Sequence, residues 1–334
     1  MTPDRPGLPT PRLIALDWGT TSMRSWLLGD DGRILDTRSR AGGLLELAEG
    51  IDAGDPAARA HAYETAYLRI CGDWVHAHPG IPALACGMVG SAQGWREAGY
   101  LTVPARLEHT ARELTEIRFD QGVVHLVPGL RIPSDPRHDL PGDVLRGEET
   151  QVVGALELMK RPGAAHTLVL PGTHTKWVRV EDGTVASFTT AMTGELYGLV
   201  TRYGLLSHTA TTARRDDTAF ARGLTAGFSA RDQGLGTALF GARALVLDDL
   251  LAPAALADYL SGVVIADEVR HALPRYPTAD PIVLCGAADL CRRYAIALAR
   301  CGARTEIVRE DATATGLWSI AAAAGLTAPE RQRR

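Results

Sequence analysis

The chain has 334 residues, 46% of them hydrophobic and 22% charged, with a formal net charge of −4. That balance belongs to a packed globular protein of about two domains and excludes a disordered, collagenous or coiled-coil chain. The slightly negative total offers no bulk attraction to nucleic acid or an anionic membrane, so neither is an expected partner.

Residues 13–17 form a short apolar strand ending in Asp17, 18–21 a tight turn, and 22–28 a second strand alternating between two faces. Asp30-Asp31-Gly32 is a hairpin turn, and 33–40 returns as a third strand. Asp55-Pro56 opens a helix to about His78, with proline in its first turn. Strands at 82–86 and 123–127 follow, with 101–119 of mixed character between them and a Pro-rich loop over 128–141. From His166 the order repeats: strand 166–170, turn 171–175, strand 176–181, the Asp182-Gly183 turn, and strand 184–191. A helix over 194–206 carries its apolar residues on one stripe. An extra helical stretch covers about 216–273, before strand 282–285, helix 287–300, strand 305–308 and an Ala-rich helix over 312–325. The repeat is one of pattern, not of residues. It predicts an α/β protein with domains at 12–145 and 163–327, joined by a helix at 146–162.

No apolar run approaches the roughly 18 residues of a membrane helix. The opening MTPDRPGLPTPR lacks the apolar stretch of a signal peptide, so the cytoplasm is the expected location. The five cysteines, Cys71, Cys86, Cys285, Cys291 and Cys301, are odd in number and form no CxxC, which indicates neither a disulfide framework nor a zinc ribbon. His76 and His78, at a helix end, read as surface residues rather than metal ligands. Lys160 and Lys176 are the two lysines in a chain whose default cation is arginine.

Five segments carry chemistry. Asp17-Trp18-Gly19-Thr20-Thr21-Ser22 places a carboxylate before a tight turn. Its N–H groups and hydroxyls suit phosphate oxygens, and the carboxylate suits Mg2+ held through water; an ordinary hairpin would use the same residues. Gly172-Thr173-His174-Thr175-Lys176 stands at the matching place in the second half. Paired turns suit a nucleotide clamped between two like domains. Lys176 shares the face of Val178 and Val180, where an ammonium needs an anionic partner or snorkels from the strand end. Cys285-Gly286-Ala287-Ala288 lets backbone approach a flat ligand such as adenine. Arg146-Gly147-Glu148-Glu149-Thr150-Gln151 opens a helix, where adjacent acids either cap it or supply a base for an attacking hydroxyl. In the glycine-rich segment from Gly87 to Trp95, Ser91 and Gln93 suit hydroxyl groups and Trp95 suits a carbon skeleton.

At these residues the chain resembles the actin-like ATPase superfamily of sugar kinases, hexokinases and heat-shock ATPases. DWGTTS is similar to its first phosphate loop, LPGTHTKW to its second and VLCGAA to its adenosine loop. More closely, LDWGTTSMRSWLL, CGMVGSAQGW, RGEETQ, LPGTHTKW and TGELYGLV resemble, in this order, segments of the 2-dehydro-3-deoxygalactonokinase family, over roughly residues 13–325.

The resemblance implies two ribonuclease-H-like domains, each a mixed five-stranded sheet with flanking helices, around a nucleotide cleft. It implies ATP and Mg2+ as cofactors and phosphorylation of the 6-hydroxyl of 2-dehydro-3-deoxy-D-galactonate, in galactonate catabolism. Asp17 would position Mg2+, and Lys176 would join it and the base as a catalytic group. Gly19, Thr20, Thr21, Gly172, Thr173, His174, Gly286 and Ala287 would hold the nucleotide. Glu148 would be the base, with Glu149 as the alternative. Arg24, Ser91, Gln93, Trp95, Arg96, Arg146 and Glu195 would hold the sugar acid, its carboxylate falling to Arg24, Arg96 or Arg146. The chain departs from the broader superfamily in three places: the second loop has no acid, Ala287 stands where a second glycine is common, and Glu148 where many sugar kinases have Asp. A kinase for another sugar or sugar acid would keep the phosphate segments, and a non-catalytic actin-like switch would lose the base.

Overall fold

The computed structural model describes residues 9–41, 43, 47, 55–161, 164–208, 215–230, 233–308 and 311–328. It divides into two compact units: Met1–Ala164 with Asp182–Ala186 and Asp311–Arg334, and Ala165–Glu181 with Ser187–Glu310.

The first unit opens with strands β1 (Leu13–Trp18), β2 (Ser22–Leu28) and β3 (Ile34–Ala41), then helix α1 (Pro56–Ala77) and β4 (Ala83–Cys86). Strands β5 (Tyr100–Thr102), β6 (Ala105–Arg106), β7 (Thr115–Phe119), β8 (Gly122–Leu126), β9 (Gly129–Ile132) and β10 (Asp143–Leu145) follow, and α2 is Glu148–Met159. The main sheet runs β3-β2-β1-β4-β8-β7. Its centre, β1, is buried along its length except at half-buried Asp17, as a strand covered on both faces must be. On one face lies α1, started by Asp55, whose carboxylate accepts from the N–H groups of Ala57 and Ala58 ahead of Pro56 in the first turn. The helix lays Tyr63, Tyr67, Ile70, Cys71 and Trp74 on the sheet as one stripe.

The second unit holds β11 (His166–Leu170), β12 (Thr175–Glu181), β13 (Thr184–Ala191) from Ser187 onward, α3 (Thr193–Arg202), α4 (Asp217–Ser229), α5 (Gly234–Leu247) and α6 (Leu256–Ala272). Strand β14 (Ile282–Leu284), α7 (Ala288–Arg300) and β15 (Thr305–Ile307) complete it, in the sheet order β15-β14-β11-β12-β13. The described residues between 216 and 273 supply α4, α5 and α6. Helix α6 is buried on nearly every side, with Asp258, Ser261 and Glu268 among its buried residues.

Three features depart from the expected layout. The main sheet of the first unit gains a sixth strand, β7, which pairs with β8, and within the same unit β6 pairs with Thr184 and Val185. The Pro-rich stretch is not all loop, because β9 joins β5 and β10 in a small three-stranded sheet. The last helix, α8 (Ala312–Ala323), belongs to the first unit rather than the second. It covers the other face of the first sheet, where Ala314, Leu317, Ile320 and Ala321 meet Leu13, Ala15, Trp26 and Leu28.

Helix α8 also sets the place of α2. A Cβ at Gly154 would lie 1.8 Å from the carbonyl oxygen of Ala312, and one at Gly316 2.0 Å from that of Thr150. Only glycine at both points allows so close a crossing. The N-terminal end of α2, with its two glutamates, is thereby held against a buried backbone.

Candidate active site

In the first unit the turn after β1 is tight, with the N–H of Gly19 donating to the carbonyl of Ser22 at 2.9 Å. Thr20, Thr21 and Ser22 are exposed around it. Asp17 faces Arg24 across the hairpin, and Arg24 Nη2 donates to Asp17 Oδ2 at 2.6 Å. Arg24 is therefore an ion-pair partner of Asp17, with its guanidinium also 5.6 Å from the ring centre of Trp26. The hairpin register implies this pairing, and it was available in the sequence.

The glycine-rich segment is placed differently from its sequence reading. Trp95 is buried, not open to a ligand. It belongs to an aromatic cluster with Trp18, Tyr63, Tyr67 and Phe119, ring centres 5.7–6.3 Å from its own. Packing on its own core outweighs the polyol role, because a tryptophan face already in such contacts has no surface left for a sugar. Gln93 is exposed, and Ser91 Oγ is sealed from solvent without a bonding partner. Arg96 is exposed and donates through Nη1 to the Glu116 carbonyl at 2.9 Å.

Arg146 is buried. Its Nη2 donates to the Ala98 carbonyl at 2.7 Å, and its guanidinium lies 4.2 Å from the ring centre of Tyr100. Its Nε and Nη1 are out of contact with solvent. In this position Arg146 ties the end of the glycine-rich segment to the start of α2 and cannot present a fork to solvent.

The two acids take opposite environments. Glu148 is half-buried and accepts the N–H of Arg146 at 3.0 Å. Glu149 is fully buried, accepting the N–H of Gly147 at 2.7 Å and the Thr150 hydroxyl at 2.9 Å. Burial, and secondarily the charge of Glu148, push the Glu149 carboxyl up to about 7. Successive helical residues point about 100° apart, so one acid reaches outward while its neighbour is sealed in. Cys86, beside Asp17 in the β1–β4 register, is likewise fully buried, which pushes its thiol well above the ordinary range.

Glu149 holds its proton more tightly folded than unfolded. That contribution to stability is complete below about pH 4.5 and is lost as pH rises to about 7, where the folded chain must bury the charge. Glu149→Gln removes the loss. Relative to wild type, the variant is expected to gain roughly 1–3 kcal/mol between about pH 5 and about pH 8 in thermal or denaturant melts. A pH-independent difference would show that Glu149 ionises without penalty.

In the second unit, Thr173 and His174 are exposed and Gly172 half-buried. The start of α3 clamps this turn: Glu195 N–H donates to the Thr173 carbonyl at 2.8 Å, and a Cβ at Gly194 would lie 2.2 Å from the Gly172 carbonyl oxygen. Glu195 Oε2 also lies 2.5 Å from His174 Nε2, so it stands on this turn as a partner of His174 rather than apart from it. Lys176 is buried and donates to the His174 carbonyl at 3.3 Å. Gly286 and exposed Ala287 follow β14, where the Cys285 N–H donates to the Val169 carbonyl at 3.1 Å.

The sequence profile described as 2-keto-3-deoxy-galactonokinase matches residues 17–320. The chain belongs to this family. A 2-dehydro-3-deoxygalactonokinase of Escherichia coli is 32% identical, over 93% of this chain and 98% of that one. A crystal structure of a Sinorhizobium meliloti protein assigned as a 2-dehydro-3-deoxygalactonokinase has a TM-score of 0.79 at 34% identity, covering 93% of this chain and 96% of that one. The Acidaminococcus fermentans (R)-2-hydroxyglutaryl-CoA dehydratase component A has a TM-score of 0.50 at 12% identity, covering 94% of this chain and all of that one, a likeness of fold alone. The fold is that of the actin-like ATPases.

The galactonokinase segments thus fall on two turns, an acid pair and a glycine-rich segment. Sequence reasoning missed Glu268, a buried carboxylate within α6. Among the described residues, no group of three or more His, Cys, Asp or Glu side chains is arranged as a metal cage. No helix among them is long and apolar enough to cross a membrane.

Proposed function

We propose that this chain transfers the γ-phosphoryl group of ATP to the 6-hydroxyl of 2-dehydro-3-deoxy-D-galactonate. As a member of the galactonokinase family it is a carbohydrate kinase. The observation that carries the reading is the family match over residues 17–320, which takes in both turns, the glycine-rich segment and the acid pair.

Phosphoryl transfer needs positioning and charge neutralisation more than covalent help. The backbone and hydroxyls of Gly19, Thr20, Thr21, Gly172 and Thr173 would orient the phosphates, with His174 offering a ring nitrogen and Lys176 its ammonium, and Gly286 and Ala287 would lie against the adenosine. Mg2+ with a nucleotide keeps most of its waters and takes one or two carboxylates. A lone half-buried Asp17 beside a phosphate turn fits that donor set, and Asp17 would hold the ion through water. When bound, the ion supplies charge neutralisation at the phosphates. Glu148 would point the 6-hydroxyl at the γ-phosphorus and accept its proton. The sugar acid's own carboxylate needs a cation, and Arg96 fits best: Arg146 is sealed and Arg24 is engaged by Asp17. Exposed Gln93 would meet the hydroxyls, whereas Ser91 Oγ is sealed from them.

ADP release measured over a panel of keto-deoxy sugar acids and neutral sugars tests the assignment. The expected result is a kcat/KM for 2-dehydro-3-deoxy-D-galactonate at least roughly 10²-fold above any neutral sugar, because a site with a cation for the carboxylate is left unpaired by a sugar lacking it. A neutral hexose turned over equally well would refute the substrate class.

A further inference from the structure

The second unit contains a buried polar network that the phosphoryl-transfer chemistry does not use. Glu268 lies on α6 and is 7% exposed. Its Oε1 accepts the indole N–H of Trp177 at 2.7 Å, and its Oε2 accepts the Tyr294 hydroxyl at 2.6 Å. Thr193 also hydrogen-bonds to it, and the Thr175 hydroxyl donates at 2.8 Å to the Tyr294 hydroxyl oxygen, which links Thr175 to Glu268 through Tyr294. A carboxylate is an acceptor-only group, and here donors from β12, α3 and α7 converge on it.

Three of these four groups lie beside one turn, and the fourth, Tyr294, reaches it from α7. Thr175 is the residue directly after the Gly172–His174 turn, and Trp177 is two residues further along β12. Thr193 opens α3, whose next two residues are the ones that clamp the turn: Gly194 against the Gly172 carbonyl and Glu195 on the Thr173 carbonyl. One carboxylate therefore grips the turn's outgoing strand and the helix start that closes over it. A purely structural requirement would be met at lower risk by apolar packing, since a buried acid is stabilising only when every donor is in place.

We propose that Glu268 is a positioning residue for nucleotide binding, fixing the 172–174 turn through Thr175 on one side and Thr193 on the other. This rests on the reading of that turn as a phosphate loop. Glu268 touches no substrate; it sets where the N–H and hydroxyl groups of the turn stand.

Three variants separate this from a stabilising role. Tyr294→Phe and Thr193→Val each remove one hydroxyl of the network at nearly constant volume. Glu268→Gln keeps one acceptor for Trp177 and can be accommodated if Tyr294 turns its proton toward Thr175. Each is expected to fold, and to raise KM for ATP by roughly 3–30-fold with KM for the sugar acid within about twofold. Glu268→Gln should be the mildest at the Glu268 site and Glu268→Leu the most severe. Thr173→Ala, in the turn itself, is the control, expected to raise KM for ATP without changing the melting temperature. If Thr173→Ala leaves KM for ATP unchanged, the phosphate-loop reading fails. If Thr173→Ala raises it while Tyr294→Phe, Thr193→Val and Glu268→Gln all match wild type, the loop reading stands and the role of Glu268 is overturned. That role is equally overturned if the network variants lower the melting temperature and shift both KM values alike.

Discussion

Glu148→Gln is expected to lower turnover by roughly 10²–10⁴ while leaving KM for both substrates within a few-fold. The amide keeps the size of the side chain and one acceptor for the Arg146 N–H, so the start of α2 should be undisturbed. What it loses is the ability to take a proton. Any carboxylate is a weak base in the ground state. That is enough for phosphoryl transfer, because the attacking hydroxyl becomes acidic only as its bond to phosphorus develops. Glu149→Gln is the matched control. Glu149 is sealed beneath Gly147 and Thr150 and cannot reach a substrate from there, so its replacement should leave turnover within about tenfold of wild type. If Glu149→Gln abolishes turnover and Glu148→Gln does not, the roles are reversed. If both retain near-normal turnover, the pair only caps its helix.

Asp17→Ala is expected to reduce Mg2+-dependent turnover by roughly 10³ or more, and Asp17→Asn by nearly as much, because an amide is a poor ligand for a hydrated divalent ion. The substitution also leaves Arg24 without its partner. That loss is small for the fold: the two side chains are 42% and 21% exposed, and a pair so open to water contributes about 0–1 kcal/mol. Melting temperature should therefore change little while activity collapses. Wild-type dependence of turnover on Mg2+ concentration in Asp17→Ala would remove the residue from the metal's surroundings.

What the sequence disclosed, and what it hid, follows from the range of the interactions involved. The strand–turn–strand units around Gly19 and Gly172 are local, written in alternation and turn residues within about ten positions, and they appear in the structure where the pattern puts them. Edge strands are quieter. In β7, Thr115–Phe119, charged Glu116 and Arg118 alternate with Ile117 and Phe119, a pattern that protects an edge and reads from sequence as a mixed surface. Strand β6 is two residues long and exists only because its partner is there. The Ala-rich α8 is apolar enough to cover either sheet, and nothing in its own residues says that it returns to the first unit.

The candidate site shows the same division. The acid pair, the two turns and the glycine-rich segment were legible because each is a short contiguous run. The fate of individual side chains was not. Trp95 reads as a stacking surface until Tyr63, Tyr67 and Phe119, distant in sequence, claim it for the core. Arg146 reads as a free cation until the carbonyls of Ala98 and Gly99 take its guanidinium. Glu268 lies in a long apolar helix, 91 residues from the indole it binds, and gives no local sign of its role. The pairing of Arg24 with Asp17 is the exception, since hairpin register alone places them opposite.

Phosphorus NMR of the product formed from ATP, Mg2+ and 2-dehydro-3-deoxy-D-galactonate tests the central claim most directly. The expected result is stoichiometric ADP and one phosphomonoester whose coupling places it on C6, formed by wild type and reduced by roughly 10²–10⁴ in rate with Glu148→Gln. Inorganic phosphate as the sole phosphorus product besides ADP, or a phosphoester on another carbon, would contradict it.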